Sequence, residues 1–190
     1  MSNHNFQKHI PDLLKLCQDI GQIQLDGQKN LNINLKSDNT PVTNIDIRSS
    51  ELIVSYLSRT FIGDTIISEE SDVTTNKKTS YWLVDPIDGT KNYIKGGEQF
   101  CICISYIHNS YPLFGIIYIP SSKEFYYASC GKGAFLIKED MHKVKITNKS
   151  QIDNNIFVST VIRDSVVKLL NNNFKHSKLI YMSSAIKFVR

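Results

Sequence analysis

Along this chain the spacing of apolar positions changes several times, and each change marks an expected element. Leu13, Leu14, Leu16, Cys17, Ile20 and Ile23 recur at helical spacing within residues 10–25, and Pro11 falls in the first turn, where a missing N–H costs little. A first helix is predicted there. Leu31, Ile33 and Leu35 alternate with polar residues, as in a strand, and the run breaks at the turn residues Asp38-Asn39-Thr40-Pro41. Ile45, Leu52, Ile53, Tyr56 and Leu57 return to the helical period. "TIISEES" (65–71) and "YWLVD" (81–85) are short apolar strands that each end in acid. Residues 100–137 read as a meander of three or four strands, with turns at His108-Asn109-Ser110, Pro120-Ser121-Ser122 and Gly131-Lys132-Gly133.

From about residue 150 the order becomes strand "NIFVST", helix "DSVVKLL", strand "KLIYM" and the start of another helix, "SSAIKFVR". The pattern predicts an N-terminal α+β unit over residues 1–150 and the beginning of an α/β unit over 151–190. Asn171-Asn172-Asn173 reads as a loop, and no internal repeat is present.

Composition narrows the function classes. At 190 residues, 41% hydrophobic and 21% charged, the chain can bury one ordinary core, or one domain plus part of a second. The net charge is +4, but the lysines are scattered and form no basic stripe interleaved with aromatics, which argues against a nucleic-acid partner. Cys17, Cys101, Cys103 and Cys130 include no C-x-x-C pair. Cys101 and Cys103 would share one strand face, and buried free thiols in a reducing compartment are expected in preference to a disulfide or a metal site. His4, His9, His108, His142 and His176 lack ligand spacing and read as surface or core residues. With no basic segment leading into a long apolar core and no 18-residue apolar run, the expectation is a cytoplasmic chain without a transmembrane segment. Peripheral membrane association stays open.

The candidate chemistry lies in the acids. Glu69 and Glu70 end one predicted strand, Asp85 ends the next, and Asp88 follows one turn later, so adjacent strands could gather three or four carboxylates at a sheet edge. Such a cluster repels itself unless a cation sits within it. An oxygen-only donor set suits Mg²⁺, which commonly keeps waters and phosphate oxygens as its other ligands. Gly89 and Thr90 would add backbone N–H groups facing an anion if "TKNYI" opens a helical turn. Taken alone, "DPIDG" also reads as a polar turn and Glu69-Glu70 as a solvated strand end. Only their combination points to a metal-assisted phosphate site.

Glu69-Glu70-Ser71 followed by Asp85-Pro86-Ile87-Asp88-Gly89-Thr90 resembles the two leading signatures of the Mg²⁺-dependent, lithium-sensitive inositol monophosphatase superfamily. Within it, "DGTKNYIKGGEQFCICISYI", "GIIYIP" and "GKGAF" are similar to the CysQ-type 3'(2'),5'-bisphosphate nucleotidases, where Lys91 stands in place of Thr or Ser. The resemblance implies a layered αβαβα sugar-phosphatase fold with its C-terminal α/β domain incomplete here. It also implies direct hydrolysis of adenosine 3',5'-bisphosphate to AMP and phosphate by water activated between metal ions.

By position, Glu69, Asp85 and the Ile87 carbonyl would hold one Mg²⁺, with Asp85 bridging to a second that Asp88 also binds. Asp46 and Thr90 would orient the attacking water. Glu69, Asp88, Gly89, Thr90 and Lys91 would meet the substrate, while Ser71 is a turn residue rather than a nucleophile. The superfamily uses two or three ions and completes its second site with the aspartate of a later Trp-Asp signature. The only tryptophan here is Trp82, so the second site is expected to be weakened. The CysQ-type Arg-Ser-His stretch is also replaced, by Thr160, Val161 and Ile162. Three alternatives stay open: a catalytically impaired remnant, an inositol monophosphatase, and a module that binds metal or phospho-metabolite without turnover. A homodimer or a separately encoded C-terminal half are the macromolecular partners to consider.

Overall fold

A computed structural model describes residues 4–71, 79–147 and 154–190. A 3-10 turn at Phe6–His9 leads into α1 (Ile10–Gly27), whose buried stripe of Leu13, Leu14, Cys17 and Ile20 is the predicted one. Pro11 sits in the first turn of α1, as expected. The short strands β1 (Ile33–Leu35) and β2 (Pro41–Thr43) pair antiparallel and project a hairpin.

Helix α2 (Asn44–Thr60) starts at a reciprocal cap. The Thr43 hydroxyl accepts the Asp46 N–H at 3.2 Å, while the Asp46 carboxylate accepts the Thr43 N–H at 2.9 Å. Ile45, Ile53 and Leu57 form its buried face, and Ser50 shares a 2.6 Å hydrogen bond with Ser68 on the neighbouring strand.

A seven-stranded sheet follows, built from β3 (Thr65–Ser68), β4 (Ser80–Asp88), β5 (Cys101–His108), β6 (Tyr111–Ile119), β7 (Glu124–Ser129), β8 (Gly133–Ile137) and β9 (Lys143–Ile146) in sequential order. β3 and β4 are parallel, and every other neighbouring pair is antiparallel. One face carries Trp82, Val84, Ile102, Ile104, Tyr106, Phe114, Ile116 and Phe125 against α1 and α2. Fully burying such side chains contributes about 1.5–3 kcal/mol each and makes this the main core. The opposite face carries Cys101, Cys103, Ile117, Ile119, Tyr126 and Leu136.

After β9 the described chain resumes with β10 (Asn155–Ser159), α4 (Asp164–Asn173) and the parallel strand β11 (Lys178–Met182), a small β-α-β unit. A 3-10 turn at Ala185–Phe188 then lays Ile186 on the second face of the large sheet, against Cys101, Ile119 and Tyr126. Among the described residues no helix is long and apolar enough to cross a membrane.

Several expectations are corrected. The strand expected to end at Asp85 runs on through Pro86 to Asp88, across a register shift between Asp85 and Asp88, so the residue lacking an N–H sits where the ladder is already interrupted. Asn171-Asn172-Asn173 is no loop but the last turn of α4, where the Asn173 side chain donates to the Leu169 carbonyl at 2.8 Å. "SSAIKFVR" forms one 3-10 turn instead of a helix. β9 was not expected, because its exposed Lys-Val-Lys-Ile edge carries little apolar signal. Cys130 is exposed, while Cys17 and Cys101 are buried and Cys103 half-buried. The boundary expected at residues 150–151 lies outside the described residues.

Candidate metal and phosphate site

The acids converge where the parallel pair β3/β4 ends. The ladder continues one residue beyond β3, with the Glu69 N–H donating to the Val84 carbonyl at 2.9 Å, and this sets Glu69 beside Asp85. Burial, together with the nearby Glu69 and Asp88 carboxylates, pushes the Asp85 carboxyl up to about 9. Asp85 also accepts the Ile87 N–H at 3.1 Å. Asp88, beyond the shift in register, accepts the Ala185 N–H at the start of the last 3-10 turn.

Gly89 turns the chain from β4 into α3 (Thr90–Ile94) with a left-handed φ of 105°. A Cβ there would stand 2.8 Å from the Gln99 carbonyl oxygen, so both the backbone angle and the space require glycine. The turn brings the Thr90 hydroxyl 3.0 Å from the Ile87 carbonyl and 3.3 Å from Asp46 Oδ1. Asp46 is fully buried; burial raises its carboxyl above the usual range, while hydrogen bonds from Thr43 and Thr90 pull the other way. The node is held from behind by Gln24 of α1, whose side chain donates to the Pro86 carbonyl at 2.8 Å and to Ser49 at 3.2 Å.

Glu69, Asp85, Asp88, Ile87, Thr90 and Asp46 therefore occupy one end of the sheet, with Gly89 as the hinge between them. Lys91 stands apart, exposed on the first turn of α3. That helix is only five residues long, so its dipole adds little attraction for an anion at its N-terminus. Sequence reasoning missed Lys36. It lies on the β1–β2 hairpin and reaches across to Glu69 at 2.8 Å and Glu70 at 2.9 Å. Burial works against the Lys36 ammonium, but the two glutamates outweigh it and raise its pKa. Burial raises the Glu70 carboxyl, with Lys36 opposing. A single Lys beside a turn leaves no periodic trace, and only the fold of the hairpin brings it to the acids.

The inositol monophosphatase family model matches residues 10–189. The chain belongs to the inositol monophosphatase family. A 3'(2'),5'-bisphosphate nucleotidase CysQ from Aggregatibacter actinomycetemcomitans is 30% identical over 186 residues, covering 94% of this chain and 69% of the relative. A histidinol-phosphatase from Chlorobaculum parvum is 35% identical over 131 residues, covering 66% of this chain and 51% of its own length. The chain thus spans between half and about two thirds of these family members. Among solved structures, CysQ from Bacteroides thetaiotaomicron superposes with a TM-score of 0.78 at 24% identity, covering 97% of this chain and 76% of that one. An IMPase/NADP phosphatase complexed with Mg²⁺ and phosphate has a TM-score of 0.74 at 22% identity, covering 94% and 67%. These likenesses establish the α+β inositol-monophosphatase fold expected from the sequence.

The residues present fit a hard divalent cation. Asp85 lies near the Glu69 and Asp88 carboxylates, and burial first, then repulsion from those two, holds it toward its neutral form, a penalty that a cation beside it would relieve. Lys36 already shows that the acidic pair at 69–70 accepts a positive partner.

Proposed function

We propose that this chain carries the catalytic centre of a Mg²⁺-dependent phosphomonoesterase that takes the 3'-phosphate from adenosine 3',5'-bisphosphate, leaving AMP and phosphate. The observation that carries this reading is the meeting of two sets at one sheet end: the cluster Glu69, Asp85 and Asp88, and the buried pair Asp46–Thr90. Glu69, Asp85 and the Ile87 carbonyl would hold one ion, and Asp85 with Asp88 a second. When bound, Mg²⁺ supplies Lewis-acid polarisation of the phosphate and a more acidic water.

The chain's own residues then do the following. Thr90 has one hydroxyl proton and two acceptors, the Ile87 carbonyl at 3.0 Å and Asp46 Oδ1 at 3.3 Å. Aimed at Asp46, that proton leaves the Thr90 oxygen free to accept one from the attacking water. Asp46 is fixed through its other oxygen by the Thr43 N–H at 2.9 Å. Its raised pKa suits it to accept the proton passed through Thr90. The water oxygen bonds to phosphorus, the bond from phosphorus to O3' breaks, O3' takes up a proton from solvent, and Asp46 returns to solvent the proton it gained. No side chain is phosphorylated. Gly89 and Thr90 would present backbone N–H groups to the phosphate, and the exposed Lys91 would have to swing in from the first turn of α3 to meet it.

Lys36 adds a role that the sequence did not suggest. A cation arriving at Glu69 competes with the Lys36 ammonium, which would then be released toward the phosphate. The CysQ relatives support a bisphosphate nucleotide as substrate. The histidinol-phosphatase relative favours a second reading, hydrolysis of a different small phosphomonoester by the same centre. Phosphate release with Mg²⁺ from adenosine 3',5'-bisphosphate, inositol 1-phosphate and histidinol phosphate separates the two. The first substrate should have the highest kcat/KM, and excess chelator should stop its turnover. A higher kcat/KM on either other substrate would reverse the assignment, and Mg²⁺ binding without turnover would leave only a binding module.

A further inference from the structure

Beside the carboxylates lies a second donor set of different chemistry. Cross-strand pairing places Cys103 opposite Asp85 and Cys101 opposite Asp88. The two thiols point to the same face of β5, with Sγ atoms 3.8 Å apart, and Cys101 Sγ is also 3.8 Å from an Asp88 oxygen. One ligand atom from each of Asp88, Cys101 and Cys103 falls within a 4.8 Å cluster.

That spacing matches a particular kind of ion. Two thiolates bound to one tetrahedral Zn²⁺ at about 2.3 Å each stand about 3.8 Å apart. A disulfide suits the pair less well, since residues two apart on a strand have Cα atoms about 6.6–6.8 Å apart, at the long end of the disulfide range. Mg²⁺ has little use for sulfur, whereas thiolate with carboxylate suits Zn²⁺ or Cd²⁺. Access is provided by a cavity of about 830 Å³ on this face, lined by Asp85, Cys103, Ile117 and Tyr126 among others. A water from the cavity can complete the fourth position.

We propose that Cys101, Cys103 and Asp88 form a site for a soft divalent cation of the Zn²⁺ or Cd²⁺ class, distinct from the oxygen-only Mg²⁺ set but sharing Asp88 with it. On binding, two metal–sulfur bonds form and two S–H bonds break, and both protons pass to the buffer. Two thiolates and one carboxylate bring −3 against +2, leaving the occupied site at −1. Because Asp88 serves both sets, a soft ion here takes a ligand from the second proposed Mg²⁺ position. That consequence rests on the proposed function, whereas the thiolate site does not.

Cd²⁺ titration of the 190-residue chain carrying Cys130→Ser tests the site, the substitution removing the exposed thiol. The expected result is an ultraviolet thiolate-to-cadmium charge-transfer band that saturates at one ion per chain, with two protons released. Cys103→Ala and Cys101→Ser should each weaken binding at least tenfold, and Asp88→Asn several-fold. Cys103 is half-buried and lines the cavity, so Cys103→Ala decides the matter should Cys101→Ser fail to fold, with circular dichroism as the check. No band, or a band unchanged in Cys103→Ala, would overturn the site. Excess Mg²⁺ should raise the apparent Kd for Cd²⁺. A Kd unmoved by Mg²⁺, with the band intact, would overturn only the sharing of Asp88.

Discussion

The two faces of the seven-stranded sheet obey different physics. On the helix-covered face Trp82, Phe125 and Ile102 have no solvent exposure, and Phe6 stacks on Phe114 with ring centroids 4.9 Å apart. The contacts there are mostly apolar, and the Trp82 indole N–H is satisfied by a 3.0 Å bond to Asp64. On the other face the same strands present Asp85, Cys103, Ile117 and Tyr126, one per strand in register, beside an open cavity. Packing stabilises the first face. The second gathers groups that repel one another, and the first is what holds them in place. Stability and chemistry are thus separated by the two-residue period of the strands.

Breaking the covered face should have the largest effect. Trp82→Ala empties a site enclosed by Phe6, Phe61, Tyr106 and Phe114, and should cost about 3–5 kcal/mol in a denaturant-unfolding measurement. A loss below about 1 kcal/mol would mean that the covered face is not the main core.

Asp85→Asn should do the opposite on the open face. Phosphate release should fall about a hundredfold, near 3 kcal/mol of transition-state stabilisation, because one carboxylate serves both proposed ions. Metal-free stability, in contrast, should not fall. The folded pKa of Asp85 is raised, to about 9 from 3.8, so its contribution is full below about pH 4 and is lost as pH rises through about 9. In chelator, the wild-type chain should lose stability across that window and the variant should lose less. Equal pH dependence in both, followed by thermal unfolding, would show that Asp85 is not strained.

The smallest effect joins the two faces. Thr43 caps α2 and steadies Asp46, so Thr43→Ala should cost about 1 kcal/mol of stability and lower kcat more than it raises KM. An unchanged kcat with the stability lost would make Thr43 a cap alone.

Much of the fold was legible because its signals are local. The stripe of α1, the alternation in β5 to β8 and the turns between them each lie within a few neighbouring residues. The acids were legible as a group because Glu69, Glu70 and Asp85 stand at the ends of apolar runs and Asp88 follows one turn later. Asp46 was reached only through family resemblance. As sequence it is an ordinary first-turn acid, and its value comes from Thr90, 44 positions away. Lys36 had no signal at all, being 33 residues from Glu69.

By itself, then, the sequence determined which residues could form helices and strands, which strand positions shared a face, and that carboxylates would stand at strand ends. Those properties follow from the helical and strand periods and from the chemistry of single residues. The tertiary structure alone decided that Lys36 reaches the glutamates, that β4 passes through Pro86 to deliver Asp88, and that Cys101 and Cys103 face the carboxylates across the ladder. The physical reason is that Coulomb repulsion, desolvation and ligand geometry act through space at distances of a few ångströms, and only the register of packed strands sets those distances.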